Sequence, residues 1–474
     1  MILEQFYLGC LAQASYLIAD QETGSAVIVD PRRDIGLYLD EAKERGLSIN
    51  HVFLTHFHAD FLAGHLELQQ ATGATIHLGA AAKAEFDFVP ESEGSELCLG
   101  KLMLRVLETP GHTPESISIL VFDLDKSADE PQAVLTGDTL FIGDVGRPDL
   151  MSSIGITAEE LAGKLYDSLR TKLLPLPDAT LVYPGHGAGS SCGKNLSSDT
   201  WSTLGEQRRS NYALQNMTRE EFVASITKDQ PRAPAYFAHD AVLNRSAHAP
   251  LTEVVAGALV ELDHAALMRR KNEGAQVLDI RDRESYTAGH IPGSIHVPID
   301  GRFASFAGGV LDPKRSIVLV SEAARAEEGV VRLGRIGFDS VCGFFVAPGP
   351  GKPLDADGAV ATDRVDPADL QLRLDLAKPP AILDIRTHTE FHRGHIPQAF
   401  SIPLDELSER MAEVPREGPI VLICGTGYRS GIAASLMEGQ GFDRRQLTDL
   451  RGGMAAWAGT GLPVVSSGET CSLS

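Results

Sequence analysis

Along roughly the first 240 residues, short apolar runs alternate with turn residues and with amphipathic stretches. YLIAD and SAVIVDP, separated by a polar turn, predict a β-hairpin. HVFLTHF, LMLRVLET, SISILVF, AVLTGD and TLVYPG read as further strands. GHLELQQATG and AEELAGKLYDSLRTKL place apolar residues at helical spacing and predict helices between the strands. Strands mixed with helices over this length predict stacked α and β layers. Most histidine motifs of this region follow directly after a strand, in loops, where chemistry is usually placed.

The second half of the chain repeats itself. LDIRDRESYTAGHIPGSIHVP at 278–298 matches LDIRTHTEFHRGHIPQAFSIP at 383–403. The apolar run SIVLVS, ending at Ser321, matches PIVLIC, ending at Cys424. Each copy reads as strand, loop, strand and helix, which is a small α/β unit. VAPGPGKPLDADGAV, rich in Pro, Gly and Asp, reads as the linker between copies. The pattern predicts an α/β multidomain chain with domains at 1–245, 255–350 and 360–468.

Composition agrees with that division. A chain of 474 residues suggests about three domains. With 43% hydrophobic and 22% charged residues, each domain can bury a core. Asp and Glu outnumber Lys and Arg by 64 to 42, a formal net charge of −22. Such a surface argues against nucleic acid and anionic membranes as partners. No apolar run is long enough to span a bilayer, and the opening MILEQFYLGC lacks the basic start of a signal peptide. Cys10, Cys98, Cys192, Cys342, Cys424 and Cys471 show no paired spacing, so a reducing, cytoplasmic setting is expected.

Candidate chemistry begins at THFHADFLAGH, which carries His56, His58 and Asp60 behind the apolar run HVFLT. Alternate residues of an extended chain point the same way, so His56 and His58 can face one cavity. His112 in ETPGHTPES, Asp138 in LTGDTLF and His186 in VYPGHGAGS follow in order, each after a strand and beside a glycine. Imidazoles and carboxylates in such a set suit a transition metal. A single loop histidine beside a glycine would mean little; four motifs in this order are hard to assign to chance.

HxHxD, GHT, GDT and PGHG in this order resemble the metallo-β-lactamase superfamily over nearly the whole first region. The resemblance implies an αββα sandwich with metal at the loop edge of its sheets. Dinuclear hydrolases of that family follow HxHxD with another histidine, and here that position is Phe61. A phenyl ring ligates nothing, which leaves one metal on His56, His112 and Asp138. Two histidines and a carboxylate form the facial triad of non-haem Fe(II) oxygenases. The same set resembles that of the persulfide dioxygenases, and implies that His58, Asp60 and His186 line the pocket without binding the ion. Arg147 in GDVGRPDL is the candidate for an anionic substrate group, with a structural pairing to Asp149 as the alternative. The resemblance also places Cys192 near the metal; a buried, inert cysteine is the other reading.

Both repeats resemble rhodanese domains, through DxR…GHIPxAxxxP and, in the second copy, LRGGMAAWAGTGLPV. The second copy carries the loop Cys424, Gly425, Thr426, Gly427, Tyr428, Arg429 between a strand and a helix. Backbone N–H groups there would stabilise a thiolate, which can take up sulfane sulfur as a persulfide. Arg429 would bind the anionic donor. The first copy has Ser321 at the cysteine position and the loop EAARAEEG, so it is expected to be silent.

Taken together, the resemblances imply an iron(II) enzyme, one ion per chain. It would oxidise glutathione persulfide or a similar small persulfide with O₂ to sulfite or thiosulfate. A sulfurtransferase at Cys424 would be coupled to it. A zinc hydrolase of the glyoxalase II type and a non-catalytic sulfur carrier stand as alternatives. A homodimer is the default assembly.

Overall fold

A computed structural model describes residues 1–150, 155–228 and 230–466 of the chain. Cys471 and the last two positions of the expected 360–468 domain lie outside the described residues. The chain divides into two compact units. One contains Met1–Val254 together with Leu333–Phe338, and the other contains Val255–Arg332 and the chain from Asp339 onward. Both repeats therefore fall in the second unit.

The first unit is built on two six-stranded sheets. The first six strands, from Ile2–Leu8 to Val89–Glu91, lie side by side in chain order. The next six, from Glu96–Leu99 to Ser202–Thr203, do the same. The alternation along single strands decides how they stack. In Gln13–Asp20, Tyr16 and Ile18 join Ile119, Val121 and Leu135 of the other sheet in one core cluster. Their neighbours Leu17 and Ala19 point the opposite way, onto Tyr38 and Ala42 of the helix Gly36–Arg45. The second sheet behaves likewise: Val134 and Leu120 face Leu165 and Ala162 of the helix Ala158–Ser168. Period-two side-chain alternation thus yields the order helix, sheet, sheet, helix. The α/β sandwich expected from the sequence is the fold observed. Ile119 is fully buried between the sheets, and truncation there to alanine would cost ~2–5 kcal/mol.

Topology then sets where the candidate site lies. Ser25–Val29 and Ser48–Phe53 are parallel, so Asp30 and Thr55 emerge at the same sheet edge. Ala133–Gly137 and Leu181–Pro184 are also parallel, which brings Asp138 beside His186.

In the second unit each repeat forms its own parallel sheet. The first has four strands, centred on Gln276–Asp279 and Ile317–Ser321. The second has five, centred on Ala381–Asp384 and Ile420–Ile423. The shared DxR signature is structural in both: Arg281 pairs with Asp279, and Arg386 with Asp384, each through Nη2 at 2.6 Å. The same guanidinium donates to a backbone carbonyl further on, Gly289 O in one copy and Gly394 O in the other. Among the described residues, no helix is long and apolar enough to cross a membrane.

Candidate metal centre and cysteine loop

The loop 55–64 reaches the sandwich edge with its backbone pinned from three sides. The Asp30 carboxylate accepts from Thr55 N at 2.7 Å and from Thr55 Oγ1 at 2.8 Å. Glu115 Oε1 accepts from Phe57 N at 3.1 Å. Asn244, fully buried, donates to His58 O and Phe61 O and accepts from Ala63 N. Of these residues, the sequence does not mark Asp30, Thr55, Glu115 or Asn244 as part of the site. Asp30 carried the one local signal, an acidic residue closing a strand before a proline, in SAVIVDP.

His56, His112 and Asp138 converge, all buried, with ligand atoms within 4.8 Å of one another. Asp138 Oδ2 is buried and has no hydrogen-bond partner. It lies 3.5 Å from His112 Nε2 and 3.9 Å from His56 Nε2. The hydrogen-bond network assigns the tautomers. His112 Nδ1 lies 2.8 Å from the Arg147 carbonyl, which can only accept, so Nδ1 carries the proton. Thr55 Oγ1 gives its proton to Asp30 and therefore accepts from His56 Nδ1 at 3.0 Å. Both Nε2 lone pairs are thus left facing the orphaned carboxylate oxygen. One transition-metal ion can be reached by all three at ordinary bond lengths of ~2 Å, so the donor set fits such an ion.

A second group, Asp60, His186 and Cys192, also converges and is also buried. His186 Nδ1 lies 2.8 Å from Asp138 Oδ1, and Nε2 lies 2.8 Å from Asp60 Oδ2. Although burial opposes it, the carboxylates of Asp138 and Asp60 raise the His186 imidazole well above its usual range. Burial works against Asp138 too, yet His186, His56 and His112 keep its carboxyl well below the carboxylate range. Burial, then Asp60 and Asp138, push the Cys192 thiol far up. Sequence reasoning counted three protein ligands at one ion. The resemblance places Cys192 near the metal, and the loop after His186 brings it to Asp60.

His58 stands outside the first group: its Nε2 is 3.1 Å from Asp30 Oδ1, and its ring packs on His56 and Phe61. Arg147 is buried. Nε and Nη2 each lie 2.7 Å from Asp149, and Nη1 and Nη2 donate to Ser191 O and Pro231 O. With its donors turned to the protein, it has the structural pairing weighed as the alternative to substrate binding.

In the second unit, Cys424 follows the strand Ile420–Ile423 and is buried. Gly427 caps the helix Tyr428–Gly439 at φ +100°, a left-handed conformation that favours glycine. There its N–H donates to Cys424 Sγ at 3.0 Å, and Ser430 Oγ lies 3.5 Å from the same sulfur. Gly425 and Thr426 form the turn before it, and Tyr428 OH donates to Pro298 O. Arg429 is held by Glu390. Ser321, the counterpart of Cys424, is buried with an unpartnered hydroxyl. It lines a cavity of about 210 Å³ with Asp282, Asp300, Glu322 and Arg325.

Comparison with known proteins follows this geometry. The metallo-beta-lactamase superfamily model matches residues 8–186, and the rhodanese-like domain model matches 263–342 and 366–460. A metallo-beta-lactamase structure from Staphylococcus aureus is 33% identical with a TM-score of 0.65, covering 73% of this chain and 99% of that one. A mitochondrial persulfide dioxygenase from Bos taurus is 29% identical over 48% of this chain and 81% of its own length. A hydroxyacylglutathione hydrolase from Rhodospirillum rubrum is 35% identical over 36% of this chain and 60% of its own. A beta-lactamase hydrolase-like protein from Agrobacterium fabrum is 32% identical over 44% of this chain, which spans about half (51%) of that protein.

Proposed function

Because the chain belongs to the metallo-beta-lactamase superfamily and carries two rhodanese-like domains behind that first domain, we propose that it is a persulfide dioxygenase coupled to a sulfurtransferase. The observation that carries this reading is the pair of Nε2 lone pairs, on His56 and His112, facing the orphaned Asp138 Oδ2. His56, His112 and Asp138 would hold one iron(II) ion. Such an ion, with open coordination positions, supplies the redox centre that brings a thiolate sulfur and O₂ to reaction. The protein's own residues do the rest. Thr55 and the Arg147 carbonyl keep both imidazoles oriented, and Phe61, buried against the His58 ring, offers no donor atom.

The substrate is a low-molecular-weight persulfide such as that of glutathione. One persulfide, one O₂ and one water give the thiol, sulfite and two protons. At the other site, the Cys424 thiolate attacks the outer sulfur of thiosulfate, the S–S bond of the donor breaks and sulfite leaves, and the persulfide formed passes its outer sulfur to an acceptor thiolate. Housing both sites on one chain raises the effective concentration of a labile intermediate.

Reciprocal variants test the division of labour. Cys424→Ser is expected to abolish thiosulfate-dependent sulfur transfer and to spare persulfide-dependent O₂ uptake. His112→Ala is expected to do the reverse. Loss of both activities in Cys424→Ser contradicts independent sites.

A second reading has one observation in its favour. Asp60, His186 and Cys192 form a further buried donor group beside the first, which suits a two-metal hydrolase of thioesters. That reading expects two zinc ions and hydrolysis of a glutathione thioester without O₂ uptake.

A further inference from the structure

The second repeat does not build the surroundings of Cys424 alone. Arg283 opens the helix Arg283–Ala288 of the first repeat, just after the capping Asp282. Its guanidinium leaves its own repeat and lies against the Cys424 loop. Nη2 is 2.6 Å from Asp449 Oδ2, and Nη1 donates to the Gly427 carbonyl. Asp449 is fully buried on the strand Leu447–Leu450, and its Oδ1 accepts from Ser430 Oγ at 2.5 Å. The Gly427 N–H and the Ser430 hydroxyl lie within hydrogen-bond distance of the sulfur. Arg283 thus anchors both, one through its own carbonyl and the other through Asp449.

Two further observations single this arginine out. A Cβ on Gly431 would lie 2.1 Å from Arg283 Nη1, so the start of the helix admits the guanidinium because residue 431 is glycine. In the alignment of the repeats, the position of Arg283 is taken in the second copy by His388. That histidine is exposed and pairs with Glu406. Arg283 is therefore a feature of the copy that has Ser321 at the cysteine position, and not of the repeat.

Resting on the reading of Cys424 as sulfur carrier, we propose that Arg283 is a positioning residue for its sulfur. The first repeat, with Ser321 in place of the loop cysteine, completes the sulfur site of the second. Other charges face the same groups. Arg364 Nε lies 3.3 Å from Asp449 Oδ2 and pairs with Glu284. Arg429 faces Cys424 and is held by Glu390. His296 stands near Arg283, and burial first, then that guanidinium, hold it neutral.

The test uses the full chain and follows iodoacetamide labelling of the Cys424 peptide by mass spectrometry across pH. Arg283→Gln is expected to move the labelling profile to higher pH and to slow labelling ~10-fold at neutral pH. Gly431→Ala, which expels the guanidinium sterically, is expected to do the same. Arg283→Lys keeps a cation beside Asp449 and is expected to fall between Arg283→Gln and the wild type. Trp457, buried in the second repeat, reports folding by fluorescence, whereas Trp201 is exposed. Profiles that coincide with the wild type overturn the proposal, as does a loss that occurs only when Trp457 becomes exposed. The carrier reading is tested separately on the wild type: incubation with thiosulfate must add one sulfur atom to the Cys424 peptide. Without that gain the carrier reading fails, while the labelling result still stands or falls by itself.

Discussion

Arg429 and Glu390 lock together across two contacts, Nη1 to Oε2 at 2.7 Å and Nη2 to Oε1 at 2.6 Å. The guanidinium that the sequence marks for an anionic sulfur donor already holds a carboxylate. A donor must displace Glu390 or bind beside it. Glu390→Gln removes the competing charge and is expected to lower the KM for thiosulfate by ~3- to 10-fold with little change in kcat. An unchanged KM would mean that Arg429 does not meet the donor.

The same pair has a pH signature. Against the cost of burial, the Arg429 guanidinium lowers the Glu390 carboxyl from 4.5 to about 2. A group whose folded value is depressed stabilises the fold fully above its unfolded value and loses that contribution as pH falls through the folded one. The wild type is expected to exceed Glu390→Gln in stability above pH 4.5, and the difference to shrink toward pH 2. Trp457 fluorescence in denaturant titrations reads this directly. A difference that stays constant with pH contradicts the ion pair.

Thr55 sits between Asp30 and His56 and fixes the imidazole. Thr55→Val keeps the shape and removes the acceptor. Metal affinity is expected to fall ~10- to 100-fold in equilibrium dialysis, with the unfolding transition little moved. Unaltered affinity would remove Thr55 from the account.

Arg147 is buried with Asp149 and two carbonyls as partners. Arg147→Ala removes these hydrogen bonds, and is expected to cost ~1–3 kcal/mol of stability in chemical denaturation. A variant of normal stability with a raised KM for persulfide would return Arg147 to substrate binding.

Ser321 ends the strand Ile317–Ser321 as Cys424 follows Ile420–Ile423, but Glu322, Asp300 and Asp282 surround it. Ser321→Ala is expected to leave sulfur transfer unchanged. A clear loss would show that the first repeat has an activity of its own.

The layered fold was legible because inward and outward residues alternate along strands such as Gln13–Asp20. His56, His112 and Asp138 were legible as candidates because each follows a strand inside a compact motif. Asp30, Glu115 and Asn244 were not, since each acts on the 55–64 loop from a distant part of the chain. Arg283 was hidden for the same reason, and the contact of Cys192 with Asp60 was legible only through the family resemblance. An arginine at a helix start looks ordinary until tertiary contacts bring it to Gly427. Phe61 was legible for the opposite reason, since a side chain without donor atoms removes a ligand wherever the fold places it.

The most direct measurement combines metal content with O₂ uptake on glutathione persulfide, using protein loaded anaerobically with iron(II). One iron per chain, O₂ consumed in proportion to sulfite released, and no uptake in His112→Ala are expected. Two zinc ions per chain, turnover of a glutathione thioester and no O₂ uptake would contradict the dioxygenase reading.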